Sequence, residues 1–180
     1  MEVSNILLVG IEASIALAGF AGIIATFQIR DVTTVRRGNV AGLTVIVQYS
    51  LLAALACSLA LLLQVSGIKG GALWASSSVI GALLTAYGAY GVGRNMRGVT
   101  AKRFPKLMFF LLQGLAILIV IALILNAVGL VFHRGPGPFV ASIVYALGVA
   151  CYIFSRLLLI PLWQIVHEKE EANLRITSQA

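Results

Sequence analysis

Five stretches of the chain carry apolar residues almost without interruption, over residues 6–27, 40–63, 72–92, 107–132 and 139–163. Each exceeds the roughly 18 residues that mark a helix able to cross the hydrocarbon of a bilayer. None alternates polar and apolar positions as a transmembrane β-strand must. The pattern predicts an all-α, polytopic membrane protein, a bundle of five transmembrane helices over residues 1–163. A polar tail, "QIVHEKEEANLRITSQA", follows over 164–180. The connections "QIRDVTTVRRGN", "QVSGIKGG", "RNMRGVTAKRFPK" and "HRGPGP" are too short to hold a further domain.

Composition agrees with that reading. The chain is 60% hydrophobic and 11% charged, with a mean hydropathy of +1.01. A soluble domain carries about 25% charged residues, so a water-facing coat is hard to build from this chain. The two cysteines, Cys57 and Cys151, both fall inside apolar runs, with no CxxC and no metal-ligand spacing. They read as small core residues, and neither a disulfide framework nor a metal site is expected.

Charge sets the threading. The first connection carries Arg30, Arg36 and Arg37, the third Arg94, Arg97, Lys102, Arg103 and Lys106, and the tail Lys169 and Arg175. The opposite side has Lys69 and Arg134, while Arg156 lies inside the last span. The positive-inside rule puts the basic connections and the C-terminus in the cytoplasm and the N-terminus outside, in a bacterial-type inner or plasma membrane. The opening "MEVSN" lacks the positive start of a secretory signal, so the first span reads as a retained helix. The third connection can touch anionic lipid headgroups through Arg94, Arg97, Lys102, Arg103 and Lys106, although topology alone accounts for its charge. No aromatic platform is interleaved with these bases, so a nucleic-acid partner is not expected.

The spans differ in texture. The second and fourth are rich in large aliphatics ("LLAALACSLALLL", "LAILIVIALIL"), whereas the other three carry small residues at four-residue spacing. Gly81, Thr85, Ala89 and Gly93 recur in the third and Ser142, Ala146 and Ala150 in the fifth, and Ala18 precedes Gly22 in the first. Small residues on one helix face let backbones approach closely. The odd-numbered helices are therefore expected to form the interior or a subunit interface, and the even-numbered ones to face lipid. "VTTVRRGN" before the second span and "VTAKRFPK" before the fourth form a faint internal echo.

Glu12 is the conspicuous exception within the first span. An ionised residue at mid-helix costs about 2.5–3.5 kcal/mol on insertion scales. The span's eleven Leu, Ile, Val and Phe offset that by roughly 3–7 kcal/mol. Glu12 shares a face with Ala16, Gly19 and Thr26, a narrow small-residue face interrupted by Ile23, and this predicts an inward orientation. Inward-facing intramembrane acids are ion or proton sites by default, with a structural hydrogen bond as the plainer alternative. Arg156 shares a face with Tyr145 and Tyr152, and these three are candidate lining for a pathway; snorkelling to headgroups is the plainer account of Arg156. Pro161 is expected to kink or end the fifth helix.

Catalytic chemistry is thin. His133 and His167 fall on opposite sides of the membrane, no carboxylates are paired within the spans, and no glycine-rich phosphate loop appears. No enzyme activity, cofactor or metal is expected. The sequence points to a small oligomeric membrane protein, channel-like or translocating an ion or proton at Glu12. The alternative is a non-conducting anchor, sensor or accessory subunit that packs on a membrane partner through its small-residue faces.

Overall fold

The computed structural model describes residues 3–30, 37–96, 106–131 and 133–177, with side chains described over 3–26, 41–94, 107–131 and 133–158. Five α-helices hold nearly all of them: α1 (Val3–Arg30), α2 (Arg37–Val65), α3 (Gly71–Met96), α4 (Lys106–Val128) and α5 (Gly137–Thr177). No strand occurs among the described residues. Every helix holds a stretch of 22 to 25 residues long and apolar enough to cross a bilayer. The protein is an all-helical integral membrane protein with five candidate spans.

Two hairpin turns lie at the end of the bundle opposite the basic connections, and the same device builds both. At the end of α2, Ile68 N–H donates to Leu63 C=O at 3.2 Å and Gly67 N–H to Gln64 C=O at 3.2 Å. At the end of α4, Leu130 N–H donates to Leu125 C=O at 3.1 Å and Gly129 N–H to Asn126 C=O at 3.0 Å. These are Schellman caps, which need a left-handed residue just past the helix. Gly67 (φ 86°) and Gly129 (φ 84°) supply it. The cap at Gly129 ends α4 at Val128, short of the predicted 132. The side chain of Arg134 then lies across both turns, its Cδ 3.2 Å from where a Cβ on Gly71 would stand and its Nε 3.2 Å from the same position on Gly129.

Packing follows spacings of three and four in alternation. α1 buries Leu7, Gly10, Ser14 and Ala21, with Leu17 half-buried between them. α2 answers with Ile46, Ser50, Ala53, Cys57 and Ala60, and α4 carries Ala116, Ile119, Leu123 and Asn126. A 3.5-residue repeat of this kind keeps a seam facing a neighbouring helix. Here the seams are built from small side chains, so backbones come close. A Cβ on Gly10 would stand 2.9 Å from Cys57 Sγ, and one on Gly88 would stand 3.1 Å from Leu52 of α2.

This arrangement corrects the expected division at α2; α3 and α5 are buried and α4 is largely exposed, as expected. α2 is a hub flanked by α1, α3 and α5, and α5 touches all four other helices. The α2 span is 44% buried, against 17% for α4 and 22% for α1. α2 carries a second seam one residue off the first, through Val45, Tyr49 and Ala56. Its large leucines, Leu51, Leu55 and Leu62, point outward on the face opposite the two seams. Bulk dominated the reading of α2, whereas in lipid the small residues decide which face is buried. Nor does Pro161 end the fifth helix: α5 continues through it to Thr177 as one 41-residue helix. Losing one bond, to residue 157, does not stop a helix whose other bonds persist.

Two expectations test the fold. Oxidising a Gly10→Cys variant should join the new thiol to Cys57, so that after unfolding in SDS Cys151 alone is alkylated. Alkylation of all three thiols would refute the α1–α2 register. Gly129→Ala should lower stability by about 1–2 kcal/mol, read from unfolding in detergent, because a Cβ is strained in the left-handed region.

Candidate functional site

In hydrocarbon every polar group within a span must find a partner or face something other than lipid. Most hydroxyls here are satisfied by their own helix. Ser14 donates to Gly10 C=O at 2.6 Å, Ser142 to Phe139 C=O at 2.7 Å and Ser155 to Cys151 C=O at 2.9 Å. They hold no helices together. Two buried groups do cross between elements.

The first is Asn126, which is fully buried near the end of α4. Its Nδ2 donates to Ser78 Oγ of α3 at 2.8 Å and to Gly135 C=O at 2.9 Å, and its Oδ1 accepts from Gly135 N–H at 3.1 Å. One amide thereby ties α3, α4 and the turn leading into α5. The second is Tyr145 of α5, which donates to Leu112 C=O of α4 at 3.1 Å and sets its ring edge-on to Tyr49 of α2, with centroids 6.1 Å apart. On either side of the Tyr49–Tyr145 pair lies a small crevice. One, about 320 Å³ with its open side included, is lined by Tyr49, Thr85, Ser142, Tyr145 and Ala146 among others. The other, about 360 Å³, lies between α4 and α5.

Glu12 is elsewhere. The structure places it on the exposed side of α1, almost diametrically opposite the Leu7–Gly10–Ser14–Ala21 seam. The inward orientation read from Ala16 and Gly19 is thus corrected at the level of the single chain. Both faces of α1 carry small residues, and the seam that includes Leu7 and Ala21 is the one α2 covers. Ala16, Gly19, Gly22 and Thr26 are exposed with Glu12, and nothing lies within 4 Å of a Cβ built on Gly19 or Gly22. The result is a shallow, small-residue groove in a membrane-spanning helix, with a carboxyl at one end.

The candidate pathway residues sit on another part of the bundle. Tyr145 faces α4, Tyr152 and Arg156 follow it on the same face of α5, and Arg156 donates to Tyr152 Oη at 3.3 Å. Among the described residues α1 and α4 do not meet. α1 and α5 run the same way, with Phe20 and Phe154 in ring contact at 6.3 Å. Glu12 is therefore level with residue 146 and about 15 Å from Arg156 along the axis. The single chain does not converge Glu12, Tyr145, Tyr152 and Arg156 on one site.

The packing residues divide likewise. Gly81 meets Phe139 and Ser142 of α5, Ala89 and Ala150 are buried, Thr85 and Ala146 line the first crevice, and Gly93 has nothing within 4 Å of a Cβ. Arg94 is exposed at the end of the α3 span. Arg97, Lys102 and Arg103 lie outside the described residues, as does the side chain of Lys106. Sequence reasoning missed Gly10 and Gly88 as contact points. The three-and-four spacing of Leu7, Gly10, Ser14, Leu17 and Ala21 was the available signal. No group of three or more His, Cys, Asp or Glu that could hold a metal occurs among the described residues.

The described residues define an integral membrane protein with five candidate spans. No protein-family model, curated protein or solved structure matches the chain.

The hydroxyls and the amide differ in a measurable way. Asn126→Ala strands Ser78 and the Gly135 backbone, and should cost about 2 kcal/mol in detergent unfolding at roughly 0.6 kcal/mol per membrane hydrogen bond plus the lost packing. Ser50 Oγ, by contrast, is buried with no hydrogen-bond partner among the described residues. Ser50→Ala should leave stability unchanged or raise it, since it removes an unsatisfied group.

Proposed function

We propose that the protein acts as an assembly of its own copies in the membrane, joined through the outer face of α1, and that Glu12 binds a cation or proton at that junction. The observation that carries this reading is the exposure of Glu12 within a span, beside the open groove of Ala16, Gly19 and Gly22. A carboxylate facing hydrocarbon costs about 2.5–3.5 kcal/mol. A second helix laid in the groove removes that exposure, and glycines permit the close approach that drives helix association in lipid. Carboxyls from neighbouring copies then converge, and a ring of acids favours a shared proton or a bound cation. In this arrangement the N-terminus is outside and the basic connections are cytoplasmic, as the asymmetry of Lys and Arg indicates.

The same face supports a second reading, a non-conducting subunit docked on a different membrane protein. Ile15, Phe20 and Ile23, each more than half exposed, flank the groove and would seal such a contact.

Energy transfer between labelled copies in liposomes, followed as lipid is added to dilute the protein, separates the two. Self-association that is weakened by Gly19→Leu or Gly22→Leu supports the first reading. A chain that stays monomeric at every dilution rejects it in favour of the second. In vesicles, Glu12→Gln should abolish proton or cation flux while self-association persists, and flux equal to the unaltered protein would remove the ion-binding role.

A further inference from the structure

Gln113 stands seven residues past Lys106, about 10 Å into the apolar run of α4. An amide at that depth has no bulk water to turn to, and each hydrogen bond left unmade there costs free energy. Among the described residues Gln113 makes no hydrogen bond. Its chain neighbour differs, because Leu112 C=O accepts from Tyr145 of α5 at 3.1 Å. Both line the crevice where α2, α3, α4 and α5 come together.

Val92, Phe109 and Val149 make the walls of that crevice apolar, and Gln113, Tyr49 and Tyr145 bring polar groups to it. The Tyr49 ring stands edge-on to Tyr145, and its hydroxyl interacts with the Tyr145 hydroxyl. Tyr145 spends its proton on Leu112 C=O, so its oxygen is the acceptor for Tyr49 O–H. The Tyr49 oxygen then keeps a place for a donor. An amide that can donate and a hydroxyl that can accept thus border one space.

Size decides what fits between them. With its open side included the crevice is about 360 Å³, but its enclosed part has room for one water-sized molecule. A space of that size stays dry when its lining is wholly apolar, and holds water when two to four polar groups surround it. Here there are three. A lipid chain is too large for the enclosed part and would leave the amide unpaired.

We infer that one structural water is bound between Gln113 and Tyr49. It accepts from Gln113 Nε2–H and donates to the Tyr49 oxygen, and the donors run on through Tyr49 and Tyr145 to Leu112 C=O. The hydrogen-bonded chain leaves α4 at residue 113, passes through α2 and α5, and returns to α4 at residue 112. It fastens the least buried of the five spans, since α4 is 17% buried. This inference does not depend on the α1 face.

The test is hydroxyl-radical footprinting of the full chain in lipid nanodiscs, with X-ray radiolysis and a residue-by-residue readout by mass spectrometry. Radicals born from a bound water oxidise the rings that touch it. Tyr49 and Tyr145 should be oxidised well above Phe139, which is also buried, against Gly81 and Trp74. Gln113→Leu and Tyr49→Phe should each lower Tyr145 oxidation to the level of Phe139. Gln113→Leu should also lower the midpoint of unfolding in detergent, whereas removing an amide that bonds to nothing would raise it. Circular dichroism identifies a variant that fails to fold. If Gln113→Leu does so, Tyr49→Phe decides, because it removes one oxygen and keeps the ring. Oxidation of Tyr49 and Tyr145 no greater than that of Phe139 would overturn the inference. So would unchanged Tyr145 oxidation in a folded variant, or a raised midpoint for Gln113→Leu.

Discussion

Close backbone approach at small side chains is the constraint on which this bundle rests. Lipid tails are as apolar as leucine, so burying a leucine between two helices gains little that lipid contact does not already supply. What remains is dispersion, which depends steeply on distance. The Gly10–Cys57 contact and the placement of Gly81 and Gly88 against α5 and α2 meet that requirement. The hub position of α2 follows from two adjoining seams of small and medium side chains rather than from its overall hydropathy.

Much of the architecture was legible in the chain. Helix number came from the lengths of the apolar runs, because twenty residues of unbroken hydrocarbon have few other solutions. The ends of α2 and α4 were also written locally, in Gly67 and Gly129, although only the structure separates a capping glycine from one inside a span. Which helix occupies the centre was not legible by bulk. Leu51, Leu55 and Leu62 made α2 look lipid-facing, and they do face outward, but Ser50, Ala53 and Cys57 beside them are buried. A helix has more than one face, and average composition cannot rank them.

The polar residues follow the same rule. Glu12 was assigned inward because its face is small, yet α1 has small residues on two faces and α2 covers only one. In the chain, Asn126 follows an aliphatic run with no polar residue beside it. Its value comes from Ser78, forty-eight residues away, and from a backbone turn that has no side-chain signature. Tyr145 likewise acts through a carbonyl, Leu112 C=O, that any residue type would offer. Contacts to main chain are the part of a membrane site that side-chain identity hides.

The length of α5 has a mechanical meaning. Its apolar run ends near Trp163, but the helix runs on to Thr177, a further fourteen residues and about 21 Å. Because α5 touches every other helix, any change in how the bundle is seated tilts it. Past the apolar run, a tilt of about 10° would swing the far end sideways by roughly 4 Å over that length. A small adjustment among the spans thus arrives at the last turn as a displacement larger than a hydrogen bond.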